Sequence, residues 1–201
     1  MRAMRAAAAA ALCGLLVTVC GCDKLLGPGK PLFHGTDVTG MEAGQSLRLD
    51  DTAGKPRTLA DFRGEVVAVT FGYTECPDVC PTTLHDWAQA MKRLGADASR
   101  VQFLFVTVDP ARDTPERLGE YVKAFDPRFV GLRGDEKAID AVKQDFHVYS
   151  EERPGKTPDS YTVDHSSQVF VFDPAGRLRL VEPAGTSPGD IASDLRALLA
   201  S

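Results

Sequence analysis

The chain has 201 residues, of which 43% are hydrophobic and 25% charged. That is an ordinary globular composition with enough apolar material for one core. The formal net charge of -5 excludes the strongly basic surface that a nucleic-acid binder presents.

Residues 1–21 read as a secretory signal. Arg2 and Arg5 supply a positive start, and residues 6–19 form a mostly apolar run of about fourteen. A membrane-spanning helix needs about 20 such residues, so the run is too short to be one. Its end, Leu16-Val17-Thr18-Val19-Cys20-Gly21-Cys22, is similar to a bacterial lipobox. That likeness implies cleavage before Cys22 and a lipid on its sulfur, with cleavage before Cys20 as the alternative. Asp23 then favours retention in the inner membrane, on the periplasmic face. Residues 22–32, with Gly27, Pro28, Gly29 and Pro31, read as a flexible tether. Residues 33–201 read as a single domain.

Within that domain, residues 33–40 are expected to be extended. Residues 46–49 and 56–59 flank a hairpin-like turn at 50–55. Residues 66–70 form an apolar, β-branched run typical of a buried strand, which Gly72 is expected to break. A helix is expected from Pro81 to about Gly95, because Leu84, Trp87, Ala88, Met91 and Leu94 recur at helical spacing. Residues 101–108 read as a second buried strand.

Thr114-Pro115-Glu116 opens a helix, with threonine as cap, proline in the first turn and glutamate favouring the dipole. Residues 129–132 suit a short strand. Residues 135–146 suit a helix with Ile139, Val142 and Phe146 inward. Residues 148–163 are mostly polar, contain Pro154, Gly155 and Pro158, and read as a long loop of the kind that often carries function. Strands at 166–173 and 177–181 around a turn, then a helix at 188–200, complete the chain. Strands alternating with helices and ending in a hairpin give an α/β sandwich with a mixed central sheet flanked by helices.

Cys76 and Cys80 stand where the strand at 66–70 passes into a helix. A helix N-terminus favours negative charge, so it favours the thiolate, the form that attacks disulfides and binds metals. Four-residue spacing on a helix brings Cα atoms to about 6 Å, within disulfide range and within reach of a shared ion. The pair therefore reads as a structural disulfide, a redox dithiol or two metal ligands. Of the four histidines, His34 lies near the tether, His85 on a polar helix face and His147 at a helix end. His165 lies where the long loop meets the next strand, a usual place for α/β ligand residues.

Three motifs occur in order. They are Phe71-Gly72-Tyr73-Thr74-Glu75-Cys76-Pro77-Asp78-Val79-Cys80-Pro81-Thr82, then Val108-Asp109-Pro110-Ala111-Arg112-Asp113-Thr114-Pro115, then Tyr161-Thr162-Val163-Asp164-His165-Ser166. Together they resemble the Sco/SenC family, over nearly all of the expected mature chain. The resemblance implies a thioredoxin-like fold. It also implies copper held by Cys76, Cys80 and His165, and a role in assembling the dinuclear copper centre of cytochrome c oxidase. Subunit II, which bears that centre, is the implied partner, with other copper chaperones or thiol reductants. The donor set suits Cu(I) and, with a further ligand, Cu(II), although zinc accepts the same residues. A disulfide between Cys76 and Cys80, as in a thiol-disulfide oxidoreductase, is the competing reading. Asp164 is a candidate to orient His165 or a surface turn acid, and Asp78 is a candidate to place charge beside the cysteines or cap the helix. Asp109 and Arg112 are candidates to fix the adjoining loop or a partner surface rather than to bind metal. A peroxidase of the same fold needs a threonine three residues before its reactive cysteine, where this chain has Tyr73 before Cys76 and Pro77 before Cys80.

Overall fold

The strand β4, Val66–Gly72, is buried at every position and lies near the middle of the sheet. The computed structural model describes residues 33–157 and 160–201. The expected signal, the lipidation site Cys22 and the tether lie outside the described residues. The first half of the domain carries β1 (Thr36–Asp37), β2 (Arg48–Asp51), β3 (Pro56–Thr58), β4, the helix α1 (Val79–Leu94) and β5 (Val101–Thr107). The second half carries α2 (Pro115–Phe125), β6 (Val130–Arg133), α3 (Glu136–Asp145), β7 (Ser150–Pro154), β8 (Tyr161–His165), β9 (Val169–Phe172), β10 (Leu178–Glu182) and α4 (Pro188–Leu199). Short 3-10 turns stand at Leu59–Phe62 and Gly95–Arg100.

The main sheet runs β1-β10-β9-β4-β5-β6-β2-β3. The pairs β4–β5 and β5–β6 are parallel, whereas β9 joins β4 antiparallel. The expected mixed sheet is therefore present. Period-two alternation divides the core. Val66 and Ala68 face the layer formed by α1, α2 and α4, and Val67, Val69 and Phe71 face α3. In the first layer Phe103 stacks on Phe129 at 4.5 Å and lies 5.2 Å from Trp87. Each such ring, fully buried, contributes about 2–3 kcal/mol of transfer free energy.

Three boundaries differ from expectation. α1 starts at Val79 with Asp78 as N-cap, so Pro81 occupies the first turn, where a missing N–H costs no helical bond. Gly72 does not break the strand but ends it. The expected loop at 148–163 is largely a hairpin, β7 and β8 pairing antiparallel from Ser150↔His165 to Pro154↔Tyr161. Six of its ten strand residues are exposed and only Val163 is buried, so no apolar alternation marks it. Cross-strand pairing and ion pairs of Arg153 with Glu151 and Asp164 define it instead. Consequently His165 ends β8, and the next strand begins only at Val169.

No described helix is long and apolar enough to cross a membrane.

Candidate metal centre

β4 and β5 run parallel and end side by side, with Val108 N donating to Gly72 O at 2.8 Å. The segments leaving these two ends build the site. After β4 the chain turns at Tyr73–Cys76, where Cys76 N donates to Tyr73 O at 3.2 Å. Asp113, from the segment after β5, is fully buried. It accepts from Thr74 Oγ1 at 2.6 Å, from Thr74 N at 3.2 Å and from Thr107 Oγ1 at 2.6 Å. These bonds offset the desolvation of a buried carboxylate, whose pKa burial raises. They also fix the loop that carries the first cysteine.

Cys76 lies in the turn before α1 rather than on the helix, and Cys80 lies in the first helical turn. The Cys80 N–H points at Cys76 Sγ, 3.5 Å away. Gly72 packs against the pair without a side chain. A Cβ there would lie 2.6 Å from Cys80 Sγ and 2.8 Å from Phe105 Cζ.

The imidazole comes from the other half of the domain. Val163 N donates to the Tyr73 hydroxyl at 3.2 Å, fastening β8 over the cysteine turn. His165 Nδ1 lies 2.9 Å from Ser166 O. A carbonyl only accepts, so Nδ1 carries the hydrogen and Nε2 is left with its lone pair toward the sulfurs. Nε2 is 3.2 Å from Cys80 Sγ. One ligand atom from each of Cys76, Cys80 and His165 lies within 4.8 Å of the other two. Tyr73 meets the imidazole edge-on at 5.9 Å.

The two thiols are unequal. The hydrogen bond from Cys80 holds the Cys76 thiol down at about 3, helped by His165 and the Asp78 and Cys80 amides. The same hydrogen bond to Cys76, with burial, pushes Cys80 up. One proton is in effect shared by a half-buried thiolate, Cys76, and a buried thiol, Cys80. Burial opposes charging His165, but its bonds to Cys76 and to Ser166 O outweigh this and raise its pKa.

The other candidates are accounted for differently. Asp164 pairs with Arg153 at 2.8 Å, and Ser166 O, not Asp164, orients the ring. Asp78 holds the N-cap position without a side-chain capping bond. Asp109 binds Arg112, as a loop-fixing pair should. His34 is 2.8 Å from Asp194, and His85 and His147 are exposed, so none of the three joins the centre. Two contributors were not singled out by sequence, Asp113 and Tyr73. Both lie inside the quoted motifs, which was the available signal.

A family model described as SCO1/SenC matches residues 37–200. The mitochondrial SCO2 homolog of Mus musculus is 39% identical over 130 residues, covering 64% of this chain and 51% of that protein. The chain thus aligns with about half the length of the mitochondrial relatives it matches. The copper-bound structure of Bradyrhizobium japonicum ScoI is similar at TM-score 0.69 and 35% identity, over 81% of this chain and 97% of that one. Apo Sco1 of Thermus thermophilus is similar at TM-score 0.76 and 37% identity, over 85% and 99% respectively. The fold is thioredoxin-like, and with nearly the whole described domain matched, this chain belongs to the SCO1/SenC family.

Proposed function

We propose that this chain is a copper-binding metallochaperone that serves assembly of the dinuclear copper centre of cytochrome c oxidase. The observation that carries the reading is the approach of the three donors, Cys76 Sγ, Cys80 Sγ and His165 Nε2. Bonds of about 2.0–2.3 Å to nitrogen and sulfur let one ion span donors about 4.6 Å apart. Donors within 4.8 Å of one another therefore need only small adjustments. Two sulfurs and an imidazole are soft to intermediate donors, the set that suits Cu(I) and tolerates Cu(II). Copper is cargo in this reading. The chain's part is to present the Cys76 thiolate, keep the Nε2 lone pair aimed inward and shield Cys80 from solvent. Cys76, Cys80 and His165 are the proposed ligands, Cys22 the proposed lipid anchor, and the periplasmic face of the bacterial inner membrane the proposed location. Subunit II of the oxidase is the proposed recipient.

A second reading rests on the unequal thiols. As a thiol-disulfide oxidoreductase, the Cys76 thiolate attacks a partner disulfide and displaces one partner thiolate. Cys80 then gives up its proton and attacks Cys76 Sγ, releasing the second partner thiol. The Cys76–Cys80 disulfide remains, and two electrons have passed to the partner. The two readings separate in a deletion strain. Under the first, oxidase activity falls and added copper restores it, whereas a His165→Ala chain does not. Restoration by exogenous thiol, together with full complementation by His165→Ala, contradicts the chaperone reading.

A further inference from the structure

The hairpin of β7 and β8 forms its own two-stranded sheet. Among the described residues no backbone ladder ties it to the main sheet, yet it carries His165. Besides the three-residue link from His165 to β9, side-chain ties set the distance from the imidazole to the sulfurs. Tyr73 to Val163 is one. Arg112 makes another, and it joins three segments. Its Nε meets Asp109 Oδ2 at 2.5 Å. Its Nη1 reaches Glu75 Oε2 in the cysteine turn at 2.8 Å and Tyr161 O in the hairpin at 2.9 Å. The guanidinium carbon lies 3.5 Å from the Tyr161 ring centroid and 5.4 Å from that of Tyr73. The Tyr161 hydroxyl donates back to Asp109 Oδ1 at 2.9 Å, and Glu75 is braced from its other side by Arg117 at 2.8 Å.

Tyr161 and His165 are the two ends of β8. An extended strand advances about 3.3 Å per residue, so a tie at one end governs a ring roughly 13 Å away. Metal–ligand distances tolerate only about 0.2 Å of error. A small swing of the hairpin is enough to open the centre. We propose that Arg112 is a positioning residue for the metal centre: by joining Glu75 to Tyr161 it sets how far His165 stands from Cys76 and Cys80. Lysine does not substitute, because a single ammonium on a flexible stem lacks the planar fork that serves Asp109, Glu75 and the carbonyl while stacking on a ring. The inference rests on the proposed copper site for its metal readout but not for its structural one.

The test uses the full chain, with Arg112→Lys, Arg112→Ala and Glu75→Gln. In copper-free protein, amide exchange at Val163 is expected to quicken about tenfold or more in Arg112→Ala while the β4 and β5 amides keep their parent rates. Copper titration is expected to show about a 10- to 100-fold loss of affinity for both Arg112 variants, the range for partners that orient ligands. Glu75→Gln, an exposed change that leaves the core intact, is expected to lose part of that factor. On a His165→Ala background, Arg112→Ala is expected to add less than about twofold, since a positioning residue has nothing left to position. An equal loss on both backgrounds, or unchanged exchange at Val163, overturns the inference. If the parent binds no copper, the proposed function fails instead, and the exchange rates alone decide the role of Arg112.

Discussion

His165 Nε2 and Cys80 Sγ are 3.2 Å apart although the two residues are separated by 85 positions. Neither partner is held by its neighbour in sequence alone. Cys80 is set by α1 and the space beside Gly72, and His165 by a hairpin pinned through Val163 and Tyr161. The site is therefore a property of the tertiary fold, and changes far from the sulfurs should be felt there.

Gly72→Ala tests the space beside the sulfur. The added methyl would stand 2.6 Å from Cys80 Sγ and 2.8 Å from Phe105 Cζ, both in the buried core. Overpacking of this kind costs about 1–3 kcal/mol. The variant should unfold at lower denaturant concentration and bind copper more weakly than the parent. Parent-like affinity together with parent-like stability would show that Cys80 has room to move.

The unequal thiols predict an unusual pH profile for alkylation of the reduced, metal-free domain. Only the thiolate reacts. With Cys76 held at about 3, its thiolate fraction is already complete, and its rate should stay flat from about pH 5 to about pH 8. An ordinary thiol, with a pKa of about 8.5, would speed up nearly tenfold per pH unit over that range. Cys80, buried and pushed the other way, should remain unmodified until the domain opens. Peptide mapping that finds Cys80 labelled first contradicts the assignment.

A second titration involves a group outside the ligand set. Glu182 is 1% exposed, and its Oε2 has no hydrogen-bond partner among the described residues. Burial, and then the neighbouring Asp194 carboxylate, push it from 4.5 up to about 7. A carboxyl whose folded pKa is raised holds its proton more tightly when folded. Its stabilising effect is complete below 4.5 and is lost as pH rises through about 7. Glu182→Gln should therefore flatten the fall in stability across this window, by about 1–3 kcal/mol on conversion of the shift. Parallel stability curves for parent and variant would refute this.

Much of the frame was legible in the sequence because its signals are local. The unbroken apolar run of β4, the stripe of Leu84, Trp87, Met91 and Leu94, and the Thr114-Pro115 cap each announce one element. Thr114 does cap α2, accepting from Arg117 N at 3.2 Å. The hairpin was illegible because β7 is polar on both faces and β8 buries chiefly Val163. Of the two readings of Asp164, the surface acid is the one that holds, for a related reason. Adjacent strand residues point to opposite sides, so the acid beside His165 turns outward to Arg153, and a backbone carbonyl orients the ring. Asp113 was missed as a site-builder because its partners, Thr74 and Thr107, belong to separate strand ends that only the parallel pairing of β4 and β5 brings together. His165 itself stood out by its place after the long loop, and the motif resemblance marked it as a ligand.

The central claim is that Cys76, Cys80 and His165 act as one copper site. It is tested most directly by titrating the reduced domain with copper and comparing the parent with His165→Ala, Cys76→Ser and Cys80→Ser. The account predicts one ion per parent chain, and a loss of about tenfold or more in affinity, with an altered absorption spectrum, for each variant. A His165→Ala domain that binds copper with the parent's affinity and spectrum would contradict it.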